Sequence, residues 1–201
     1  MFTCNQTLGA LIDGVMADMG LYVEIPRETY REVVNEAIGR LYTEVVCERG
    51  EVPFTPYNGS ISIESIAVPA DTAPLREEDI LLIRKSAQFI HRLSPHRFLL
   101  ITSNDGNFYT VEDGVLRFTP TWNGHSLHLI YRRRPRPFTE TDEGRTIPLP
   151  EEYLSLLRAK LRGEIYKLAN EDVLSAKWLG EYNSILPAFA AYCRTCGGEK
   201  A

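Results

Sequence analysis

Residues 105–131, DGNFYTVEDGVLRFTPTWNGHSLHLIY, decide the fold class of this chain. Three dipeptides punctuate the stretch: Asp105-Gly106, Asp113-Gly114 and Asn123-Gly124. Such dipeptides tolerate the positive φ angles that two-residue hairpin turns require. The segments between them are rich in strand-favouring residues and cover 108–111, 115–119 and 126–131. The stretch therefore predicts three antiparallel strands in a β-meander, with Leu116 and Phe118 on one face of the second strand and Leu127, Leu129 and Tyr131 on one face of the third.

Helical patterns flank this meander on both sides. Apolar residues recur at helical spacing over 8–19 and 30–45, and the short link between these segments predicts an antiparallel helix pair. Downstream, an apolar stripe over 154–168 and an aromatic stripe from about Asp172 predict a second pair. The fold class predicted is α+β, with an N-terminal helix pair, a central antiparallel β-meander or small sheet, and a C-terminal helix pair.

The segments between these elements are less regular. We expect the second helix to end near Gly50, and the alternation of Ile61 and Ile63 with serines predicts a half-buried strand. Residues 76–103 fit either a helix or short buried strands, and we favour strands, with Ser94-Pro95 opening a loop or one helical turn. The polar segment 139–146 is typical of a mobile loop.

Length and composition indicate one globular domain. The 201 residues are predicted to form a single domain over 1–201, with a helical pair in 1–50, a β region in 60–138 and C-terminal helices in 150–196. A net charge of −5 provides no overall basic field to attract nucleic acid. No apolar stretch approaches the length of a membrane span, so no membrane association is expected. With no secretory signal evident, the four cysteines are expected to be reduced thiols.

No catalytic, metal-binding or cofactor-binding residues are predicted. Cys193 and Cys196 form the one spacing that suggests metal or redox chemistry, but a structural zinc needs four ligands and no second pair occurs in the sequence. His125 and His128 would lie on opposite faces of a regular strand, which argues against joint metal binding. A small metal-dependent regulator that uses the two cysteines therefore stays a minor alternative to two unligated thiols.

The strongest charge cluster follows the last predicted strand and comprises Arg132, Arg133, Arg134 and Arg136. Guanidinium groups suit phosphate oxygens, so one interpretation is contact with nucleic acid. The other is a solvated strand end whose arginines pair with acids on a neighbouring subunit. Without an overall basic field, we favour the second interpretation.

The aromatic stripe of the last helix has two interpretations as well. Part of it is expected to pack in the core, whereas Tyr182, Phe189 and Tyr192 lie late in the chain and are of the kind enriched at protein interfaces. Pro187 should kink or interrupt the helix, because proline cannot donate a hydrogen bond to the carbonyl of Asn183.

An ordered set of short motifs resembles one family over most of the chain, the head-to-tail connector or adaptor proteins of tailed bacteriophages, also called tail accessory or gatekeeper proteins. The motifs are Asn35-Glu36-Ala37-Ile38, Val68-Pro69-Ala70-Asp71, Asp113-Gly114-Val115-Leu116-Arg117-Phe118-Thr119-Pro120, Leu129-Ile130-Tyr131-Arg132-Arg133-Arg134-Pro135, Ile147-Pro148-Leu149-Pro150-Glu151-Glu152-Tyr153 and Tyr182-Asn183. Residues 72–103 and the segment with Cys193 and Cys196 match nothing in that pattern.

The resemblance implies a structural, non-enzymatic virion protein at the head–tail junction, assembled in the host cytoplasm. Such proteins form a ring, usually a dodecamer, whose partners are the portal protein and the tail or nozzle proteins and whose lumen passes DNA without sequence-specific binding. The C-terminal region commonly inserts against the portal, which here implies docking by Tyr182, Ile185, Phe189, Tyr192 and Arg194. The four arginines would make inter-subunit or lumen contacts. A tail-completion or minor tail protein is the alternative.

Overall fold

The computed structural model describes residues 2, 4–20, 24–46, 48–101 and 106–198, of which 196–198 are described by their backbone alone. Contacts divide the chain into two compact units. We call residues 1–48 and 137–201 the helical unit, and residues 49–136 the sheet unit. The sequence-based prediction of one domain over 1–201 stays a prediction.

Five helices and seven strands follow one another in the described residues. In chain order they are α1 (Leu8–Met19), α2 (Arg27–Glu44), β1 (Arg49–Phe54), β2 (Ser60–Ser62), β3 (Ile80–Lys85), β4 (Gln88–Arg92), α3 (Pro95–Leu99), β5 (Phe108–Glu112), β6 (Val115–Phe118), β7 (Leu127–Arg132), α4 (Leu154–Leu168) and α5 (Asp172–Gly198). This order confirms the predicted α+β class.

Helix α1 begins and ends where its sequence signals lie, whereas α2 agrees with its signals only at its start. The Thr7 hydroxyl accepts a hydrogen bond from the Ala10 N–H at the start of α1, and Gly20 ends that helix with φ of 54°. Helix α2 follows Pro26 but ends at Glu44, about one and a half turns before the predicted end near Gly50. The residues from Arg49 onward form β1 instead, an element that the sequence-based prediction missed.

The core of the helical unit is built from apolar stripes on α1, α2, α4 and α5. Its fully buried members include Leu8, Leu11, Ile12, Val34, Leu157, Leu161, Ile165 and Phe189. Two buried tyrosines satisfy their hydroxyls there: Tyr42 donates to the Pro148 carbonyl at 2.8 Å and Tyr166 to that of Met19 at 3.1 Å.

The segment 139–146 is anchored to the first turn of α1, although the sequence predicted a mobile loop. The backbone N–H of Leu8 donates to the Arg145 carbonyl at 3.0 Å, and that of Gly9 donates to the Glu143 carbonyl at 2.9 Å. Arg27 adds an ion pair with the Glu143 carboxylate at 2.5 Å, a contact that holds the pKa of Glu143 below its usual range. Orphan amides at a helix start need acceptors, and this segment supplies them.

The sheet unit contains one mixed seven-stranded sheet in the order β1-β7-β3-β4-β5-β6-β2. Strands β3 and β4 occupy the ambiguous region 76–103, which confirms the preference for strands there, and Ser94-Pro95 opens the short helix α3. Neighbouring strands pair antiparallel except β4 and β5, which run parallel.

The predicted meander is correct for two of its three strands. Strands β5 and β6 form a hairpin whose Asp113 and Gly114 have φ of 51° and 74°. Strand β7, however, does not pair with β6 and lies between β1 and β3. The segment around Gly124 redirects the chain, and the backbone N–H of Gly124 donates to the Pro56 carbonyl at 3.0 Å. Asp105, in the first predicted turn, lies outside the described residues.

Strand β7 supplies the centre of the sheet core. Its residues alternate between buried and half-buried, with Leu127, Leu129 and Tyr131 on the buried face as their spacing predicted. Tyr131 pairs across the sheet with Gly50 of β1, and a Cβ added to Gly50 would lie 2.4 Å from the tyrosine Cζ. The tyrosine ring therefore occupies the space that any larger residue at position 50 would need.

We expect Gly50→Ala to destabilise the sheet unit by about 1–3 kcal/mol, because the Tyr131 ring is buried and cannot move aside cheaply. Urea titration followed by circular dichroism measures the free energy of unfolding. The control is Gly14→Ala on α1, where a Cβ meets nothing within 4 Å and helix propensity predicts a gain of about 0.5–1 kcal/mol. A neutral Gly50→Ala would contradict this account of the β1–β7 pairing.

Candidate interaction surfaces

Helix α5 runs without interruption from Asp172 to Gly198 and contains Pro187. Of the two predicted effects of this proline, an interruption of the helix is wrong, and a kink stays a prediction. The Pro187 ring is solvent-exposed. Because proline has no N–H, the Asn183 carbonyl loses its usual helical donor at that turn. The result is a helix of 27 residues, about 40 Å long at 1.5 Å per residue.

The residues predicted to dock on a portal divide between the core and the surface of the helical unit. Phe189 is fully buried and Tyr182 is buried, so both belong to the core. Ile185 and Tyr192 are half-buried and pack against that core, whereas Arg194 is exposed. Docking by these residues stays a prediction, and the exposed side of α5 is the part of the helix available to a partner.

An aromatic cluster explains why α5 is held against the rest of the unit. The ring of Tyr153 lies 4.9 Å from that of Phe189 and 5.2 Å from that of Tyr192, and Phe2 lies 6.0 Å from Tyr192. Tilted aromatic pairs at these separations add to the stability gained by burial. The aromatic stripe that sequence reasoning assigned partly to an interface therefore closes the core of the helical unit.

Two of the four predicted contact arginines have acidic partners within the sheet unit. Arg133 donates to both carboxylate oxygens of Asp71 at 2.8 and 2.7 Å. Arg134 donates to both oxygens of Asp79 at 2.9 and 2.5 Å, and Asp79 is 2% exposed. These bidentate pairs fix the strand exit. Arg132 is half-buried and Arg136 is exposed, and the role of all four in inter-subunit or lumen contacts stays a prediction.

The histidines belong to the sheet unit and the described cysteines to the helical unit. His128 Nδ1 lies 2.9 Å from Glu51, and His125 Nδ1 lies 2.8 Å from Lys85 Nζ. Cys4 and Cys193 are buried in the helical unit and form no disulfide, whereas Cys47 and the Cys196 side chain lie outside the described residues. In the described part of the chain, no group of three or more histidine, cysteine, aspartate or glutamate side chains could hold a metal ion.

A shallow, open groove of about 570 Å³ lies on the helical unit between the start of α1 and the start of α4. Its lining is Asn5, Gln6, Ala10, Glu151, Glu152, Leu154, Ser155 and Arg158. Arg158 donates to the Gln6 side chain at 2.7 Å across the groove. Glu151 and Glu152 are exposed at the start of α4, where carboxylates interact favourably with the helix dipole.

Large apolar side chains are exposed on both units. In the sheet unit they include Leu81, Phe89, Leu99 and Leu100, and in the helical unit Met16, Leu168 and Val173. Apolar side chains exposed singly are ordinary on a protein surface, and by themselves they mark no site.

A comparison with protein families identifies the class of protein. Residues 6–192 match the family model described as SU10 adaptor protein. The chain belongs to the SU10 adaptor protein family, a structural family of phage adaptor proteins, which confirms the resemblance found in the sequence motifs. A search of curated proteins found none that matches the chain. Among the described residues, no helix is both long and apolar enough to cross a membrane.

We expect Phe189→Ala to cost about 3–5 kcal/mol, because a fully buried aromatic ring is replaced by a cavity. Val173→Ala on the same helix is the matched control, since Val173 is 84% exposed and its truncation should change stability by no more than about 0.5 kcal/mol. Thermal melts of both variants test this. Equal melting temperatures for the two variants would show that α5 does not belong to the core.

Stability should depend on pH through Asp71. The hydrogen-bonded Arg133 guanidinium lowers the pKa of Asp71, so this carboxylate stabilises the fold above the ordinary aspartate pKa, and the contribution is lost as pH falls through the lowered pKa. We expect Asp71→Asn to lose less than about 1 kcal/mol at pH 7, because the carboxylate is half exposed.

The difference in free energy of unfolding between Asp71→Asn and the unmodified chain should narrow as pH falls below about 4 and close only below the lowered pKa of Asp71. Urea titrations at pH 7 and pH 3 measure it. Asp113→Asn is the control, because Asp113 has no ion-pair partner among the described residues. A deficit of the same size at both pH values would contradict the role assigned to the Arg133–Asp71 pair.

Proposed function

We propose that this chain is a head-to-tail adaptor, which forms a ring that joins the portal protein to the tail and continues the DNA channel. The observation that carries the proposal is the family match over residues 6–192, which spans both units. The resemblance of the ordered motifs supports a ring, with twelve subunits as its usual size. The virion, at the head–tail junction, is then the place where the protein acts.

The C-terminal helix is the part proposed to dock on the portal. Helix α5 is long, and its exposed side carries mostly small or polar residues, which allow close approach of a partner surface. These residues are Ala176, Gly180, Ser184, Ala188, Ala191, Arg194 and Thr195. Since Tyr182 and Phe189 are committed to the core, the proposed contact uses the exposed side of α5 and the accessible parts of Ile185 and Tyr192.

The charge of the chain supports passage of DNA. Tight binding of duplex DNA requires many lysine and arginine contacts to phosphates. The chain has a net charge of −5, and Arg133 and Arg134 are already paired with carboxylates of the sheet unit. A lumen made of such subunits would let DNA pass without holding it and without reading its sequence.

Site-specific photo-crosslinking in assembled particles tests this proposal. A photoreactive amino acid at the exposed Arg194 position is expected to crosslink to the portal protein. The same amino acid at Tyr57, which is 79% exposed in the sheet unit, serves as the matched probe of the other unit. Electron microscopy of the chain mixed with its portal should show a ring bound to the portal.

Crosslinks from position 194 to tail proteins alone would instead support the alternative, a tail-completion or minor tail protein. If the mixture contains neither free nor portal-bound rings, the adaptor proposal is wrong.

A further inference from the structure

The outer face of strands β1, β7, β3 and β4, opposite the sheet core, carries an unusual arrangement of side chains. Alternation along the strands places one set of residues on this face, which we call the outer sheet face. Its members are Arg49, Glu51, Pro53, Leu82, Arg84, Phe89, His128, Ile130 and Arg132. None of them is fully buried, and Phe89 is 49% exposed.

Two arginines of the same charge lie directly opposite each other at one end of this face. Arg49 of β1 is the cross-strand partner of Arg132 of β7. Like charges in such a pair destabilise a sheet. Arg84 on the same face is held by two hydrogen bonds to Glu51, but within the described ranges neither Arg49 nor Arg132 has an acidic partner. The pair therefore presents two unneutralised guanidinium groups.

The composition of the outer sheet face resembles that of a protein-binding surface. Arginine and aromatic residues are enriched in protein interfaces, whereas lysine is depleted. Phe89 lies opposite Arg84, and Leu82 lies opposite Ile130, so apolar and guanidinium groups are interleaved and lysine is absent from the set. Glu51 lies halfway along β1 on this face, opposite Ile130, so a phosphate backbone laid across the face would meet a carboxylate.

Helix α2 of the helical unit carries a row of negatively charged side chains, opposite in charge to the arginine pair. Glu28, Glu32 and Glu36 are exposed and spaced four residues apart, so they line one side of the helix over about 12 Å. Carboxylates at this spacing destabilise a helix. Glu28 has Arg31 within 3.5 Å. Arg40 attracts the Glu36 carboxylate from one turn away but forms its ion pair with Glu44, and Glu32 and Glu36 have no ion-pair partner among the residues described.

The two units also differ in charge along the sequence. The helical unit contains 11 basic and 18 acidic side chains, a net charge of −7, whereas the sheet unit contains 11 basic and 9 acidic ones, a net charge of +2. A contact between the sheet unit of one copy and the helical unit of another is therefore favoured electrostatically. Such a contact would also relieve the repulsion between the paired arginines of the sheet unit and the repulsion among the glutamates of α2.

We infer that the outer sheet face of one copy docks on the acidic side of α2 in a second copy, with Arg49 and Arg132 meeting Glu32 and Glu36. The contact joins two different surfaces, so repetition from copy to copy generates a ring or an open filament. This inference rests on the proposed function, because it supplies the subunit contact that an adaptor ring requires. Ile130, which is next to Arg132 on this face, excludes water beside the ion pairs.

Charge reversal tests the contact. We expect R49E/R132E to reduce the yield of complete rings on portal at least tenfold, as counted by native mass spectrometry, because two acidic surfaces then face each other. E32K/E36K should fail equally. R76E/R97E is the matched control: it makes the same charge change in the sheet unit at two exposed positions outside the outer sheet face, and it should assemble normally. Circular dichroism verifies that each variant is folded.

Restoration of the charge match provides the decisive result. A chain with all four substitutions, R49E/R132E/E32K/E36K, should recover complete rings. A mixture of the two double variants should recover them as well, because each variant then has neighbours of the other kind, whose contact surfaces carry the opposite charge. Normal assembly of either double variant, or no recovery in the combined chain, would overturn the inference while wild-type rings leave the proposed function intact.

Two further outcomes separate the remaining possibilities. If R49E/R132E forms complete rings but alters retention of DNA in filled particles, the outer sheet face contacts nucleic acid and the inference is wrong. If the wild-type chain itself forms no assembly with portal, the proposed function fails and the inference fails with it.

Discussion

The insertion of β7 between β1 and β3 is the constraint on which the sheet unit depends. It buries Leu127, Leu129 and Tyr131 at the centre of the core and requires a glycine at position 50, where the Tyr131 ring leaves no room for a Cβ. The same insertion directs the chain after β7 toward Asp71 and Asp79, so that Arg133 and Arg134 form their carboxylate pairs. One topological choice therefore determines both the hydrophobic core and the polar contacts at the strand exit.

The helical unit depends on the burial of the aromatic side of α5. Phe189 and Tyr182 join the core formed with α1, α2 and α4, and Tyr153 packs against both Phe189 and Tyr192. This packing holds a helix of about 40 Å in place and leaves its other side, made of small and polar residues, exposed. A structural protein needs stable surfaces more than reactive groups, and both units fit that requirement.

Local patterns predicted most elements, because short-range periodicity reflects which side of an element is buried. The helices, the hairpin at Asp113-Gly114 and the buried faces of β6 and β7 follow from such patterns. Strand β1 was missed because its glycine and proline, Gly50 and Pro53, are typical of a loop, yet an edge strand tolerates Pro53. The partners of β7 could not be predicted, since alternation within a strand identifies its faces and carries no information about its neighbours.

The sequence by itself determined the α+β class, the family resemblance and the presence of an arginine cluster and an aromatic stripe. Tertiary structure alone decided which arginines are neutralised within the chain and which aromatics are buried. It also placed Arg49 opposite Arg132, two residues separated by more than eighty positions in the sequence. Charge pairing and burial depend on distances in space. Those distances are set only when β7 has entered the sheet and α5 has packed on the core of the helical unit.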